Sequence, residues 1–152
     1  MLESLKKILL EMGVTLSVAE SCTAGKLQDL LTSISGSSDY FEGGITTYNI
    51  DQKVKHLNVN REDAEKVDCV SQEIADQMAI GCSELFETRL SISTTGYINT
   101  HLFYSICFDN EIVRHGKIEL SQYRSRSESK NYSPITILEI LIDTLNNIND
   151  NK

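Results

Sequence analysis

The chain has 152 residues, 22 acidic and 14 basic side chains for a net charge of −8, and 40% apolar content, which suits one domain with a single core. The acidic balance repels polyphosphates and argues against nucleic acid as a main partner. Cys22, Cys69, Cys82 and Cys107 form no CxxC or Cys/His cluster, so neither a metal site nor a disulfide framework is expected, and reduced thiols fit a cytoplasmic protein.

In chain order, Leu2, Leu5, Ile8 and Leu9 recur at helical spacing and Gly13 follows as a C′ residue, so 2–12 reads as an amphipathic helix. Its acidic residues and short apolar run fit neither a signal segment nor a membrane span. VTLSVA is then a buried strand, followed by a helix to about Ile34 that ends at SGSS; GGITTY is the next strand, opened by paired glycines. A short helix is expected around DQKVKHL. Ser71 caps a longer one, QEIADQMAIGCSELFE, with Ile74, Met78, Cys82 and Leu85 on one face. RLSIST, LFYSICF and EIVRHGKIEL are strands, the last two joined by an Asp109-Asn110 hairpin. SQYRSRSESKNY reads as a mobile polar loop, and Ser133 and Pro134 as N-cap and N1 of a final helix that turns Ile137, Leu138, Leu141 and Leu145 inward. Residues 1–148 are expected to form the single domain and 149–152 a frayed tail.

Strands alternating with helices and ending in a hairpin imply a three-layer α/β/α sandwich with a mixed, mostly parallel sheet. A ligand site then belongs at the carboxyl ends of the parallel strands. Three polar loops converge there: ESCT, TYNIDQK and STTGYIN.

Ser21, after Glu20 at a strand-to-helix turn, sits where unpaired amides stabilise an oxyanion or a phosphate. Ser21 or Thr23 could equally do no more than cap the helix. Cys22 is a rival nucleophile without a histidine in an obvious role, and reads as a small buried residue. A serine needs a base, and a lysine serves only if burial lowers its pKa. Lys53, past Tyr48, is the candidate, with the Tyr48 hydroxyl placed to relay a proton or order the pair; the other reading makes Lys53 a solvated helix lysine like Lys55. His56, His101 and His115 are scattered. Gly36, Ser37 and Ser38 could cradle a phosphate or simply end a helix.

The stretches AESCTAG (19–25), SGSSDYFEGGITTYN (35–49), Lys53 and VSQEIADQMAIG (70–81) together resemble the CinA C-terminal domain family, bacterial nicotinamide mononucleotide amidases. That family's pattern runs AESCTGG, GSSxxFxGGxxTYSNxxK, VSxExAxxMAxG and TGIAGPxGG. The first three blocks are here in order and with similar spacing. The resemblance implies an α/β/α sandwich and hydrolysis of the nucleotide's carboxamide to the acid and ammonia, without metal or cofactor. It implies Ser21, Tyr48 and Lys53 as catalytic residues, and Glu20, Cys22, Thr23, Ser37, Ser38, Thr95 and Gly96 as substrate-binding ones. The partner is then a small pyridine nucleotide, with no nucleic acid or membrane, in a homo-oligomer. The departures are Asn49-Ile50 for Ser-Asn, Ala24 for a glycine, and above all the fourth block. Only Thr95-Gly96-Tyr97-Ile98-Asn99-Thr100-His101 stands where the family has its glycine-rich loop. The family's basic pair falls on Arg124 or Arg126 with Lys130. The expected activity is therefore weakened, with a catalytically inactive nucleotide-binding or regulatory relative as the alternative.

Overall fold

The computed structural model describes residues 1–151. Five strands form one sheet in the order β2-β1-β3-β4-β5: β1 (Leu16–Glu20), β2 (Phe41–Thr46), β3 (Leu90–Tyr97), β4 (His101–Phe108) and β5 (Glu111–Glu119). β1 runs parallel to both β2 and β3, while the β3/β4 and β4/β5 ladders are antiparallel. The mixed sheet expected from the sequence is therefore present.

Helices α1 (Leu2–Met12), α2 (Lys26–Leu31) and α6 (Arg126–Asp150) cover one face. Their Leu5, Leu9, Leu27, Leu31, Ile137 and Leu141 share a buried cluster with Leu16, Val18, Leu90 and Ile92 of the sheet. Helices α3 (Ile50–Leu57), α4 (Arg61–Lys66) and α5 (Gln72–Phe86) cover the other, around Leu57, Ala64, Ile74, Met78 and Cys82. Alternation along β3 sends Leu90 and Ile92 to the first face and Ser91 and Ser93 to the second. Those two serine hydroxyls donate to the α5 carbonyls of Ala79 (2.6 Å) and Ala75 (2.5 Å), so small polar residues hold α5 close to the sheet with their own groups satisfied.

Several elements differ from expectation. The polar segment before Pro134 is helical: Ser125 is the N-cap of α6, its hydroxyl accepting from Glu128 N at 3.1 Å, while the Glu128 carboxylate accepts from Arg124 N at 2.8 Å. This S-x-x-E motif, a variant capping box in which the glutamate reaches the residue before the N-cap, starts the helix two turns before Ser133, and Pro134 lies inside it. α6 then runs on to Asp150, into the stretch expected to fray. α2 ends at Leu31, short of Ile34, and a 3₁₀ turn over Ser37–Asp39 follows. The paired glycines lie within β2 because a side chain there would collide with Phe86 (from Gly43) or with Gln28 and Val18 (from Gly44). Leu85, expected on the buried face of α5, is exposed. α4 was not foreseen; Asn60 caps it through a bond from Asp63 N. The hairpin is as expected, Asp109 and Asn110 both having positive φ (51° and 65°), the backbone of a tight two-residue turn. No helix among the described residues is long and apolar enough to cross a membrane.

Candidate active site

A cavity of about 480 Å³ opens at the carboxyl ends of β1, β2 and β3. Ser21 enters it from the turn after β1, Tyr48 and Lys53 from the β2–α3 segment, Asp68 and Cys69 from the α4–α5 loop, and Thr95, Gly96 and Tyr97 from the end of β3. Arg126 closes one side from the first turn of α6.

Lys53 is only 1% exposed. Its Nζ lies 2.9 Å from Ser21 Oγ, 2.7 Å from the Thr47 carbonyl oxygen and 3.1 Å from that of Tyr48. A charged ammonium donates to all three. A neutral amine gives its two hydrogens to the carbonyls and leaves its lone pair for the Ser21 hydroxyl, so the geometry serves either protonation state. Burial pushes the Lys53 pKa down, partly offset by the neighbouring Cys69, Cys22 and Asp68. The solvated-lysine reading is thereby excluded.

The capping reading of Ser21 is excluded too. α2 does not begin until Lys26, after Ala24 and Gly25, both with positive φ. The group that serves its N-terminus is Glu20, whose fully buried carboxylate accepts from Leu27 N (2.8 Å), Gln28 N (3.0 Å) and Thr23 Oγ1 (2.6 Å). Glu20 and Thr23 therefore brace the turn from beneath instead of facing the cavity. Ser21 N donates to the Thr94 carbonyl at 3.0 Å, which fixes the serine against β3.

The remaining residues divide by position. Cys22 lines the cavity, but burial pushes its thiol up to about 12, so it stays protonated and is a poor rival to Ser21. Tyr48, 59% exposed, rims the cavity and supplies its carbonyl to Lys53; its hydroxyl does not stand between lysine and serine, which touch directly. Thr95 lines the cavity while its hydroxyl donates to the Cys69 carbonyl at 2.7 Å. Gly96 has backbone so close that a Cβ would lie 2.5 Å from His101 O. Ser37 and Ser38 sit in the turn before β2, at the amino end of that strand and so at the opposite end of the sheet from the cavity. Of the three basic candidates, Arg126 lines the cavity, whereas Lys130 lines a small separate cleft between α2 and α6. Asp68 and Cys69 escaped the sequence reading because they lie between the recognisable stretches.

The fold agrees with that of known proteins. Residues 1–100 match the family model of the CinA C-terminal domain. A CinA-like protein of Trichormus variabilis is 37% identical over 145 residues, covering 89% of this chain and 35% of that protein. Another, from Nostoc punctiforme, is 54% identical over 82 residues, or 54% of this chain and 20% of the relative. The chain thus spans about a third or less of the curated relatives it matches. Among solved structures, the competence/damage-inducible protein CihA of Agrobacterium tumefaciens superposes with a TM-score of 0.84 at 28% identity, over 94% of each chain. The competence or damage-inducible protein of Enterobacter asburiae gives 0.88 at 20% identity over 95% of each, a likeness of fold. With the matched segment carrying both Ser21 and Lys53, a relative 37% identical over 89% of the chain, and a fold that superposes on CihA over 94% of each chain, the chain belongs to the CinA C-terminal domain family.

Proposed function

We propose that this protein is a serine amidohydrolase that cleaves the carboxamide of nicotinamide mononucleotide or a related pyridine nucleotide. The observation that carries the reading is the buried contact between Lys53 Nζ and Ser21 Oγ, with two backbone carbonyls holding the amine. Neutral Lys53 takes the hydroxyl proton as Ser21 Oγ bonds to the carboxamide carbon. Backbone amides of the turn at 22–23 are the candidates to hold the resulting oxyanion. The ammonium then gives its proton to the departing nitrogen, ammonia leaves, and water deprotonated by the same lysine hydrolyses the acyl-serine to the acid. The scheme calls on no metal or cofactor. Arg126 is the cavity cation suited to the nucleotide's phosphate, and the fit of a small anion is compatible with an overall acidic chain.

One observation favours a second reading, a relative that binds the nucleotide without turning it over. Only residues 98–100 connect β3 to β4, where the family pattern has its glycine-rich loop. The two are separated by incubating the purified protein with nicotinamide mononucleotide and related nucleotides and measuring ammonia. Release that disappears in Ser21→Ala supports the amidase. Binding by calorimetry with no release from any of them supports the second reading.

A further inference from the structure

Among the described cavity-lining residues Asp68 is the only carboxylate, in company with two basic side chains, Lys53 and Arg126. Its placement is enforced. Asp68 and Cys69 both adopt positive φ (50° and 60°), a backbone that non-glycine residues hold only when the surroundings demand it. Three hydrogen bonds make that demand: Cys69 N to Ala64 O (2.9 Å), Val70 N to Val67 O (2.9 Å) and Thr95 Oγ1 to Cys69 O (2.7 Å). The Asp68 carboxylate is then fixed from across the cavity by Tyr97, whose hydroxyl donates to Oδ2 at 3.0 Å. Tyr97 is itself braced edge-on by His101. A strained loop locked from both ends, with a carboxylate and a half-exposed aromatic ring at the mouth, is a costly arrangement for a surface with no ligand to meet.

A carboxylate held at the hydroxyl edge of a half-exposed tyrosine ring suits a flat, positively charged ring. The anion supplies attraction, and the tyrosine π-face adds a contact that a neutral ring draws on less. We propose that Asp68 determines specificity in this cavity by favouring a pyridinium ring, positively charged at its nitrogen, over a neutral pyridine of the same outline, with Tyr97 as the residue that positions it. This rests on the amidase reading in taking a nicotinamide nucleotide, whose ring is such a cation, as the occupant. It adds that the charge of the ring is recognised, and by which side chains.

The test compares two probes that share the carboxamide and differ in ring charge, 1-methylnicotinamide and nicotinamide, titrated into the isotope-labelled protein and followed by amide chemical shifts. The wild type should prefer the cation by about tenfold or more, and Asp68→Asn should reduce that preference to about threefold or less. Asparagine tolerates positive φ and can still accept from Tyr97, so the loop should survive, which the amide spectrum itself reports. Tyr97→Phe keeps the ring but frees the carboxylate and should give an intermediate preference. Loss of the Asp68 charge also removes one support for protonated Lys53, which would favour a cation; a fall in preference therefore reports Asp68 itself. Equal binding of the two probes by the wild type, no binding of either, or a preference undiminished in Asp68→Asn would overturn the proposal. The measurement needs no turnover. Absence of ammonia release would count against the amidase reading while leaving a measured ring preference standing, and an active amidase indifferent to ring charge would do the reverse.

Discussion

A lysine sealed under a serine with two carbonyls as its other neighbours is a residue whose charge the fold opposes. Burial lowers its pKa, so between that lowered value and the ordinary lysine range the unfolded chain binds a proton that the folded chain does not. Stability should therefore rise with pH across that window, and the corresponding rise should be missing in Lys53→Met; denaturation midpoints measured at a series of alkaline pH values check this, and parallel curves would return Lys53 to an unperturbed role. Glu20 carries the opposite kind of role. Because its carboxylate accepts three hydrogen bonds beneath the serine turn, Glu20→Ala should cost about 1.5–3 kcal/mol in urea unfolding, and a change of a few tenths would mean that the carboxylate serves a ligand instead. Chemistry singles out Ser21 and Lys53 as a hydroxyl at a strand-to-helix turn and an amine that burial can neutralise, but it leaves a helix cap and a solvated lysine open; the family resemblance pairs them, and their contact appears only in the fold. The roles of Glu20 and of Tyr48 were not legible. Whether a side chain faces the cavity or the helix beneath it depends on where α2 begins, and the two positive-φ residues Ala24 and Gly25 delay that start.

At the level of elements, the site depends on how closely α3 approaches α5. A Cβ on Gly81 would lie 1.9 Å from the Leu57 carbonyl oxygen at the end of α3, so no side chain fits there without pushing away the helix that carries Lys53. Gly81→Ala should destabilise the protein by about 1–3 kcal/mol and also separate Lys53 from Ser21. Thermal unfolding reads the first effect and ammonia release the second; a stable, fully active variant would show that the helices can move apart at no cost. The start of α6 offers a parallel case. Ser125→Ala removes its cap and should cost about 1 kcal/mol, loosening the turn that holds Arg126 at the cavity, which differential denaturation and nucleotide affinity together report. Proline at a first helical turn is a sound rule, yet Pro134 misplaced this boundary because the Ser125/Glu128 capping box lay in a stretch too polar to read as helix. The apolar face of Ile137, Leu138, Leu141 and Leu145 was readable, since its period does not depend on where the helix begins. α4, six residues with a single buried alanine, carries no apolar period at all.

Over the whole molecule, the parallel order β2-β1-β3 is what gathers a serine, a lysine and a threonine from three separate segments at one end of the sheet. That convergence was legible because strand and helix alternate so regularly along the chain. The cavity's far wall was not, since it depends on Asp68, Cys69 and Arg126, which come from an αL loop and a helix start with no pattern of their own. On this account the short connection at 98–100 costs the protein backbone donors, and the loss of even one such donor is worth roughly a hundredfold in rate. A relative with the complete glycine-rich loop should thus exceed this protein in kcat/KM on nicotinamide mononucleotide by about that factor, and equal values would make the loop dispensable. The central claim is that Lys53 is the base for Ser21, and its most direct measurement is the rate of ammonia release from nicotinamide mononucleotide as a function of pH in the wild type and in Lys53→Met. The account predicts a wild-type rate that climbs with pH as Lys53 loses its proton, at a pH below the ordinary lysine range, and a variant that folds but releases no ammonia. A flat profile, with Lys53→Met as active as the wild type, would contradict it.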